Sequence, residues 1–310
     1  MNIFITGGAG YLGSILVPHL LKEGHYVTVL DNFMYQQASL LDCCHEEKLT
    51  VIRGDARDER LVSKILTKAD IIFPMACVTG APLCDRLPTE AEAVNLEAVK
   101  IILKLRSHNQ RVIFPTTNSG YGVGETGNHC TETTPLRPIS HYGRLKVAAE
   151  KAVLEAGNCI TLRLATVFGT SPRMRLDLLV NDFVYRAVHD GFLVLFEAHF
   201  KRNYIHVRDV ARAFTFCLNS FDRMKNEPYN LGLSDCNISK KELCQEIKKQ
   251  IPNFYFVEAA VGEDPDKRDY IVSNAKIEKA GFKPAFSLQH GISELIKSYQ
   301  IIKRSEYANV

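Results

Sequence analysis

The sequence contains no tryptophan and no apolar run of the ~18 residues that a membrane-spanning helix requires. Its nine cysteines are odd in number and show no C-x-x-C spacing, so we expect neither a disulfide framework nor a metal site. A formal net charge of +3 is too small to indicate a nucleic-acid or membrane-surface partner. These absences favour a soluble protein, for which we expect a cytoplasmic location.

Short apolar runs alternate with segments that are long enough for helices. The runs span 2–6, 25–31, 49–55, 69–75, 111–115 and 159–164, and helices are expected in 91–106 and 143–156. Strands that are buried on both faces have this near-continuous apolar character, and their alternation with helices is typical of parallel sheets. The pattern therefore predicts an α/β fold with a Rossmann-type doubly wound parallel sheet.

The regular alternation weakens after about residue 170, where helical pieces and short strands follow. We expect one domain over 1–170, with 203–220 packing back on it, and a smaller C-terminal α/β lobe over 171–310. Ligands of doubly wound sheets bind beyond the carboxyl ends of the strands. The second lobe could close over that edge.

Three glycines follow the first predicted strand. Gly7, Gly10 and Gly13 occupy the turn into a helix, where missing side chains permit a tight bend and a close approach of backbone amides to a pyrophosphate. Asp31 ends the second strand, where a carboxylate can accept hydrogen bonds from both ribose hydroxyls and would repel a 2′-phosphate. The segment "NFMYQQ" after it offers no cation to bind such a phosphate. The pattern predicts a dinucleotide site that takes NAD.

Neighbouring residues of the same turns are predicted to contact this cofactor: Tyr11, Leu12, Asn32, Asp55 and Ala56. Asp55 ends the next strand and could accept a hydrogen bond from the adenine amino group. An equally good alternative makes Asp55 the N-cap of a helix over 58–67.

Tyr142 and Lys146 are spaced four residues apart, on one face of a predicted helix. In isolation this spacing more often reflects a solvated lysine beside an amphipathic tyrosine. A nearby ammonium and a positive nicotinamide ring both favour the phenolate, so we expect the pKa of Tyr142 to fall toward the working range. Tyr142 would then remove the proton of a carbinol while hydride leaves its carbon. Thr117, at the end of a neighbouring strand, is the expected donor to the reacting oxygen.

In these motifs the sequence resembles the extended short-chain dehydrogenase/reductases that modify nucleotide-linked sugars. The TGxxGxxG motif of that family is matched from Thr6 to Gly13, its (S/T)xxxYG motif from Thr117 to Gly122, and its YxxxK motif by Tyr142 and Lys146. Two further patterns, P-x6-N and R-x-Y-I-H-V-x-D, are matched by Pro88 and Asn95 and by Arg202, Tyr204, His206 and Asp209.

The resemblance implies a retained NAD, a nucleotide-diphosphate sugar between the lobes, and a 4-keto sugar as a transient or final product. It implies that Asn181 and Arg202 contact the diphosphate and that Arg268 is a second phosphate ligand. Thr79, Asn118 and Ser119 are the further residues expected at the sugar, beside Thr117. Homodimers are common in the resembled family, and we expect one here.

This sequence departs from the 4,6-dehydratases of the resembled family, which carry Asp and Glu directly after the catalytic Thr. Here those positions are Asn118 and Ser119, neither of which is a general acid at neutral pH, so dehydration is not expected. Decarboxylation and 3,5-epimerisation need further groups. Only His129, Cys130 and Thr79 offer unassigned polar side chains for them, and each is expected to be structural.

Two oxidative outcomes remain open. Reduction of the 4-keto sugar from its other face would give a 4-epimerase, and its release would give a 4-dehydrogenase. The stretch 162–187, in which Thr166 replaces the more usual Asn, is most similar to bacterial enzymes that oxidise C4 of GDP-linked heptoses for capsular polysaccharide. The resemblance favours oxidation of GDP-D-glycero-D-manno-heptose, so a GDP-sugar is the favoured partner, with a 4-epimerase like that of UDP-glucose as the alternative.

Two other classes of protein agree less well with the sequence. A non-catalytic NAD(H)-binding sensor on this fold would be expected to have lost the Tyr142 and Lys146 pair or the phosphate-binding arginines. A broad small-carbonyl reductase would use NADPH and lack a second lobe, and both Asp31 and the residues beyond 170 oppose that interpretation.

Overall fold

The computed structural model describes residues 1–125, 127–259 and 268–302. The strands are β1 (Asn2–Thr6), β2 (Tyr26–Asp31), β3 (Leu49–Arg53), β4 (Ile71–Pro74), β5 (Arg111–Thr117), β6 (His129–Cys130), β7 (Cys159–Leu164), β8 (Thr166–Phe168), β9 (Phe192–Leu195), β10 (Lys201–His206), β11 (Glu227–Leu231), β12 (Asn237–Ser239), β13 (Tyr255–Glu258) and β14 (Ile271–Val272). The helices are α1 (Gly13–Lys22), α2 (Glu59–Leu66), α3 (Ala81–Arg86), α4 (Pro88–Glu92), α5 (Ala98–Leu105), α6 (His141–Ala156), α7 (Leu179–His189), α8 (Val207–Asn219), α9 (Phe221–Met224), α10 (Lys240–Gln250), α11 (Ala275–Lys279) and α12 (Leu288–Ser298).

A seven-stranded sheet with the order β11-β7-β5-β4-β1-β2-β3 forms the centre of the molecule. Every neighbouring pair in it is parallel. Smaller sheets join β12, β10 and β8, then β13 and β9, and finally β14 and β6. From β1 the chain proceeds through β2 to β3 on one side of the sheet, and it then returns to β4 on the other side of β1 and continues outward to β11, which is the doubly wound topology.

Alternating side chains of β1 explain why helices cover both faces of the large sheet. Ile3 and Ile5 belong to one buried apolar cluster together with Phe214 of α8. Phe4 belongs to a second cluster together with Val62 of α2. Because successive side chains of a strand point to opposite faces, these two clusters lie on the two sides of the sheet. The predicted α/β doubly wound fold is confirmed.

The large sheet continues past the boundary that the sequence suggests near residue 170. Its seventh strand, β11, pairs in parallel with β7 after the chain has passed through α7 to α9. The helix α8 lies within the predicted 203–220 segment and packs against α1. The division into domains at 170 stays a prediction. None of the helices within the described ranges combines the length and apolar character that crossing a bilayer requires.

A buried ion pair fastens α6 to the sheet. Arg163 of β7 donates from Nε to Glu150 Oε1 of α6 at 2.9 Å, and Thr161 Oγ1 donates to the same oxygen at 3.0 Å. Arg163 Nη1 also donates to the hydroxyl of Tyr121 at 3.0 Å and to the carbonyl of Glu132 at 3.1 Å. Both charged side chains are nearly inaccessible to solvent, with exposed fractions of 6% and 3%.

We expect Glu150→Ala to lower the free energy of unfolding by about 3–5 kcal/mol, because it leaves the Arg163 guanidinium buried without its counter-charge. Glu155→Ala on the exposed side of the same helix should cost less than about 1 kcal/mol, since its carboxylate pairs with Lys151 at the surface. Guanidinium chloride denaturation followed by circular dichroism measures both values. Equal losses for the two variants would contradict the anchoring role of the ion pair.

Candidate active site

A cleft of about 330 Å³ lies at the carboxyl edge of the large sheet. The ends of β1, β2, β4 and β5, the start of α6 and the loop after β8 form its walls. Most of the residues that the sequence predicts for the site line it: Gly7, Gly10, Tyr11, Leu12, Gly13, Asp31, Asn32, Asp55, Ala56, Thr79, Thr117, Ser119, Tyr142, Lys146 and Arg268. Asn118, Asn181 and Arg202 are buried outside its lining.

The turn between β1 and α1 presents backbone rather than side chains to the cleft. Gly7 has a φ of +70°, and a Cβ on it would lie 2.7 Å from the Cα atom of Ala76. A Cβ on Gly13 would collide with the carbonyl of Gly8. The turn is therefore packed too closely for side chains at positions 7 and 13, and with Gly10 these glycines form a cradle that lines the cleft at the N-terminus of α1, where backbone amides can approach a pyrophosphate.

Asp31 lies at the end of β2 with its carboxylate held by hydrogen bonds. Oδ2 accepts from the amide of Ala9 at 2.9 Å, and Oδ1 accepts from the amide of Phe33 at 2.8 Å. Burial raises the pKa of Asp31, and the two amides oppose that rise. Its place beside the glycine cradle fits a ribose, so the residues present fit the predicted NAD.

Asp55 also lines the cleft, and its carboxylate is paired with a neighbouring arginine. Its carboxylate accepts from Arg57 Nε at 2.9 Å and from the amide of Arg57 at 2.8 Å, and this contact lowers the pKa of Asp55. The alternative interpretation as a helix cap is wrong, because Asp58 caps α2 by accepting from the amide of Arg60 at 3.0 Å. A contact between Asp55 and adenine stays a prediction.

The helix α6 brings Tyr142 and Lys146 to the cleft. Ser140 caps it by accepting a hydrogen bond from the amide of Gly143 at 3.1 Å, which fixes its first turn. Tyr142 is half-buried, and Lys146 is buried with its ammonium 4.1 Å from the ring centre of Phe114 in β5. The two residues therefore lie in the cleft and not on a solvated surface, and their catalytic roles stay predictions.

The expected fall in the pKa of Tyr142 is absent from the protein alone. Burial raises the pKa of Tyr142 well above its usual range, and the guanidinium groups of Arg175 and Arg268 only partly oppose it. Burial also lowers the pKa of Lys146. The free-energy cost of removing both groups from water exceeds the attraction between an ammonium and a phenolate. The expectation from the sequence considered only that attraction.

The end of β5 carries two linked hydroxyls. Thr117 Oγ1 accepts from the amide of Ser119 at 3.1 Å and donates to Ser119 Oγ at 2.9 Å. The guanidinium of Arg268 also donates to Ser119 Oγ. Asn118 points away from the cleft lining, and its buried amide finds no hydrogen-bond partner among the described residues.

Two predicted diphosphate ligands lie behind the cleft wall. Asn181 accepts from the amide of Gly169 at 3.0 Å and donates to the carbonyl of Arg175 at 2.9 Å, so it shapes the loop after β8. The guanidinium of Arg202 lies 5.6 Å from the ring centre of Tyr270, which lines the cleft. Direct contacts of Asn181 and Arg202 with a diphosphate stay predictions.

Two cations that the sequence reasoning missed line the cleft on the loop after β8. Arg175 pairs with Asp177, with Nη2 to Oδ2 at 2.6 Å, and Arg173 lies with its guanidinium 4.3 Å from the ring centre of Tyr35. The loop is docked on the turn before α1, because the hydroxyl of Tyr11 donates to the carbonyl of Gly169 at 2.7 Å. The run "PRMRLD" directly after a strand end was the signal that could have identified them.

Asn95 and His206, which belong to the two further family patterns, stabilise a loop and a helix end. Asn95 lies in a π-helical turn, accepts from the amide of Val78 at 2.8 Å and donates to its carbonyl at 2.9 Å. It thereby fixes the loop after β4, part of which lines the cleft. His206 caps α8 and contacts Glu294 of α12, with Nε2 to Oε2 at 2.5 Å.

Of the three polar residues without an assigned role, one lies in the cleft and two lie in β6. Thr79 lines the cleft, whereas His129 is exposed in β6 and Cys130 is buried against Tyr121 and Tyr270. Within the described parts of the chain, no three His, Cys, Asp or Glu side chains are grouped as a metal site would require.

We expect the phenol of Tyr142 to keep its proton up to about pH 10 in the protein without cofactor, since burial raises its pKa above the ordinary value of about 10. The difference between the ultraviolet pH titrations of the parent protein and of Tyr142→Phe isolates this group. A phenolate signal that develops near neutral pH would contradict the dominance of desolvation.

Comparison with known proteins agrees with this geometry. Residues 3–232 match the model of the NAD dependent epimerase/dehydratase family. The low-salt glycan biosynthesis protein Agl12 of Haloferax volcanii is 27% identical over 96% of this chain and 98% of its own length. The UDP-glucose 4-epimerase of Lactobacillus helveticus is 28% identical over 86% of this chain and 87% of its own length.

A solved structure shares the fold. The UDP-glucose 4-epimerase of Thermus thermophilus, solved in complex with NAD, superposes with a TM-score of 0.82 at 24% identity and covers 97% of this chain and 99% of its own. The family match spans the glycine turn, Asp31, Thr117, Tyr142 and Lys146. The chain is therefore an enzyme of the NAD-dependent epimerase/dehydratase family.

Proposed function

We propose that the protein uses NAD to oxidise C4 of a nucleotide-diphosphate sugar, with GDP-D-glycero-D-manno-heptose as the favoured substrate, for bacterial capsular polysaccharide. Family membership supports the chemistry. The choice of sugar rests on the similarity of the stretch 162–187 to GDP-heptose-oxidising enzymes. A homodimer in the cytoplasm completes the proposal.

Tyr142 is the base in this proposal and removes the proton of the C4 hydroxyl. The hydroxyls of Thr117 and Ser119 hold the reacting oxygen from the end of β5, and Lys146 reaches the ribose beside the phenol. Bound NAD supplies the acceptor for the hydride that leaves C4, and its positive ring adds the charge that favours the phenolate. The loop with Arg173 and Arg175 covers the cleft and offers guanidinium groups to the diphosphate.

The distribution of carboxylates is the observation that carries the choice of reaction. The carboxylates among the described lining residues are Asp31, Asp55 and Glu90. Asp31 is the last residue of β2, while Asp55 and Glu90 both contact Arg57 beyond β3, on the far side of β1 from β5. A dehydratase needs a general acid at the sugar, and an amide and a hydroxyl, those of Asn118 and Ser119, occupy the corresponding positions here. The proposed chemistry therefore stays at C4.

A nucleotide-sugar 4-epimerase is the second candidate. Relatives from Lactobacillus helveticus and Thermus thermophilus carry the name UDP-glucose 4-epimerase. The same residues would perform the oxidation, and the two functions differ in whether the ketone leaves or is reduced on its other face. Tyr142 would return the proton in the second half of that reaction.

The deciding experiment incubates the NAD-loaded protein with GDP-, UDP- and dTDP-sugars, among them GDP-D-glycero-D-manno-heptose, and follows product mass and NADH absorbance. A product lighter by two hydrogen atoms, formed together with NADH, supports the 4-dehydrogenase. An isobaric product without net NADH supports the 4-epimerase. A product that has lost water would contradict both.

We expect Tyr142→Phe to lower the turnover of the accepted sugar by roughly 10²–10⁴-fold, because it removes the group that accepts the proton. Tyr26→Phe serves as the matched control, since that phenol is 56% exposed. Initial rates at saturating substrate provide the measurement. An unchanged rate in Tyr142→Phe would show that another residue is the base.

A further inference from the structure

A single buried side chain joins the two ends of the loop that carries the cleft arginines. This loop, residues 169–175 and called here the arginine loop, lies between β8 and α7. Asn181 of α7 is fully buried. Its Oδ1 accepts from the amide of Gly169 at 3.0 Å, and its Nδ2 donates to the carbonyl of Arg175 at 2.9 Å. Because these partners are the first and the last residue of the loop, one carboxamide fixes the distance between its ends.

The hydrogen bonds of Asn181 leave it no donor for a phosphate. A backbone amide only donates and a backbone carbonyl only accepts, so the two loop ends determine which atom of the carboxamide is oxygen and which is nitrogen. The nitrogen also donates to the hydroxyl of Tyr11 at 3.4 Å, and that hydroxyl donates its own proton to the carbonyl of Gly169 at 2.7 Å. Both hydrogens of the carboxamide are therefore used, whereas an ionised diphosphate needs donors.

The C-terminal helix supports Asn181 from the side that faces away from the cleft. The hydroxyl of Tyr299, the residue directly after α12, donates to the backbone carbonyl of Asn181 at 2.9 Å. The ring of Tyr299 also meets Tyr185 of α7 edge-on, with centroids 5.3 Å apart. Neither Asn181 nor Tyr299 lines the cleft. Both residues can therefore affect the chemistry only through the loop.

The far end of the arginine loop places a positive charge near the proposed base. Arg175 lines the cleft together with Tyr142. Its guanidinium is oriented by Asp177, with Nε to Oδ1 at 3.2 Å and Nη2 to Oδ2 at 2.6 Å. Burial raises the pKa of Tyr142, and the charge of Arg175 opposes that rise more strongly than the charge of Arg268 does. The position of the loop end therefore bears on the ionisation of the phenol.

We propose that Asn181 is a positioning residue that acts on Tyr142 through Arg175, and that it is not a ligand of the diphosphate. By fixing both ends of the arginine loop, Asn181 holds the guanidinium of Arg175 beside the phenol. Tyr299 holds Asn181 in turn. This inference rests on the proposed function, since it assigns a role within the same site, and it replaces the diphosphate contact that the resemblance implies for Asn181.

The test compares Asn181→Ala, Arg175→Gln and the double variant Asn181→Ala/Arg175→Gln, all loaded with NAD. Tyr299→Phe is a milder variant, because it removes only the hydroxyl that supports Asn181. Asn219→Ala is the matched control, since that asparagine is exposed at the end of α8. The turnover of the sugar nucleotide that the panel identifies is measured as a function of pH. Calorimetry measures the affinities for GDP and UDP, and thermal melting verifies folding.

We expect Asn181→Ala and Arg175→Gln each to move the acidic limb of the pH–rate profile to higher pH by roughly half a unit to one unit, because a phenol that loses a nearby positive charge keeps its proton to higher pH. Tyr299→Phe should move the limb in the same direction by less. The double variant should shift no further than the more strongly shifted single variant, because the two residues act in series.

The affinity for nucleoside diphosphates separates a positioning residue from a ligand. In the Arg175→Gln background, Asn181→Ala should change the affinities for GDP and UDP by less than about threefold. Binding weakened by about tenfold or more in that background would make Asn181 a ligand of the diphosphate and overturn the inference. An unshifted pH profile in either single variant would also overturn it. If Asn181→Ala does not fold, the profile of Tyr299→Phe decides in the same way.

Failure of the proposed function has a different signature. If the parent protein turns over no sugar in the panel, hydrogen exchange measured by mass spectrometry decides. Asn181→Ala should then raise the exchange rates of the arginine loop by about tenfold or more, since both loop ends lose their hydrogen-bond partner. Asn219→Ala should leave these rates unchanged. Exchange at the parental rate in Asn181→Ala would overturn the inference.

Discussion

The buried pair of Glu150 and Arg163 connects the two halves of the proposed catalytic cluster. Glu150 belongs to α6, whose first turns carry Tyr142 and Lys146, and Arg163 belongs to β7. Through the hydroxyl of Tyr121, Arg163 also reaches the turn that carries Ser119. Charges removed from water are costly unless they are paired and their remaining hydrogen-bonding groups are satisfied. Here that requirement fixes Tyr142, the proposed base, and the hydroxyls after β5 relative to one edge of the sheet.

A second constraint is the contact between the loop after β8 and the start of α1. The hydroxyl of Ser171 donates to the carbonyl of Tyr11 and lies 2.7 Å from that of Ser14. Because the glycine turn opens onto the same helix end, the loop that supplies Arg173 and Arg175 lines the same cleft as that turn. The proposed cofactor and substrate sites therefore share one wall.

Local pattern was enough to predict the large sheet, the glycine turn, Asp31, and the placement of Tyr142 and Lys146. Each of these follows from hydrophobic periodicity or from spacing within one strand-turn-helix unit. The contact between Arg268 and Ser119 joins residues 149 positions apart, and only tertiary packing brings them together. The seventh strand was missed for the same reason, since β11 joins the sheet only after α7 to α9 have formed.

The pKa of Tyr142 was predicted wrongly from the spacing of Tyr142 and Lys146. Spacing of four residues reports that an ammonium can lie near a phenol, but it carries no information on how much water both groups lose. In the structure that loss dominates, and the cations that favour the phenolate include Arg175 and Arg268, which come from other parts of the chain. The phenol of Tyr142 therefore keeps its proton until further positive charge enters the cleft, and in the proposed mechanism the nicotinamide ring of bound NAD would supply that charge. The desolvation of Tyr142 thus makes its proposed role as a base depend on the bound cofactor.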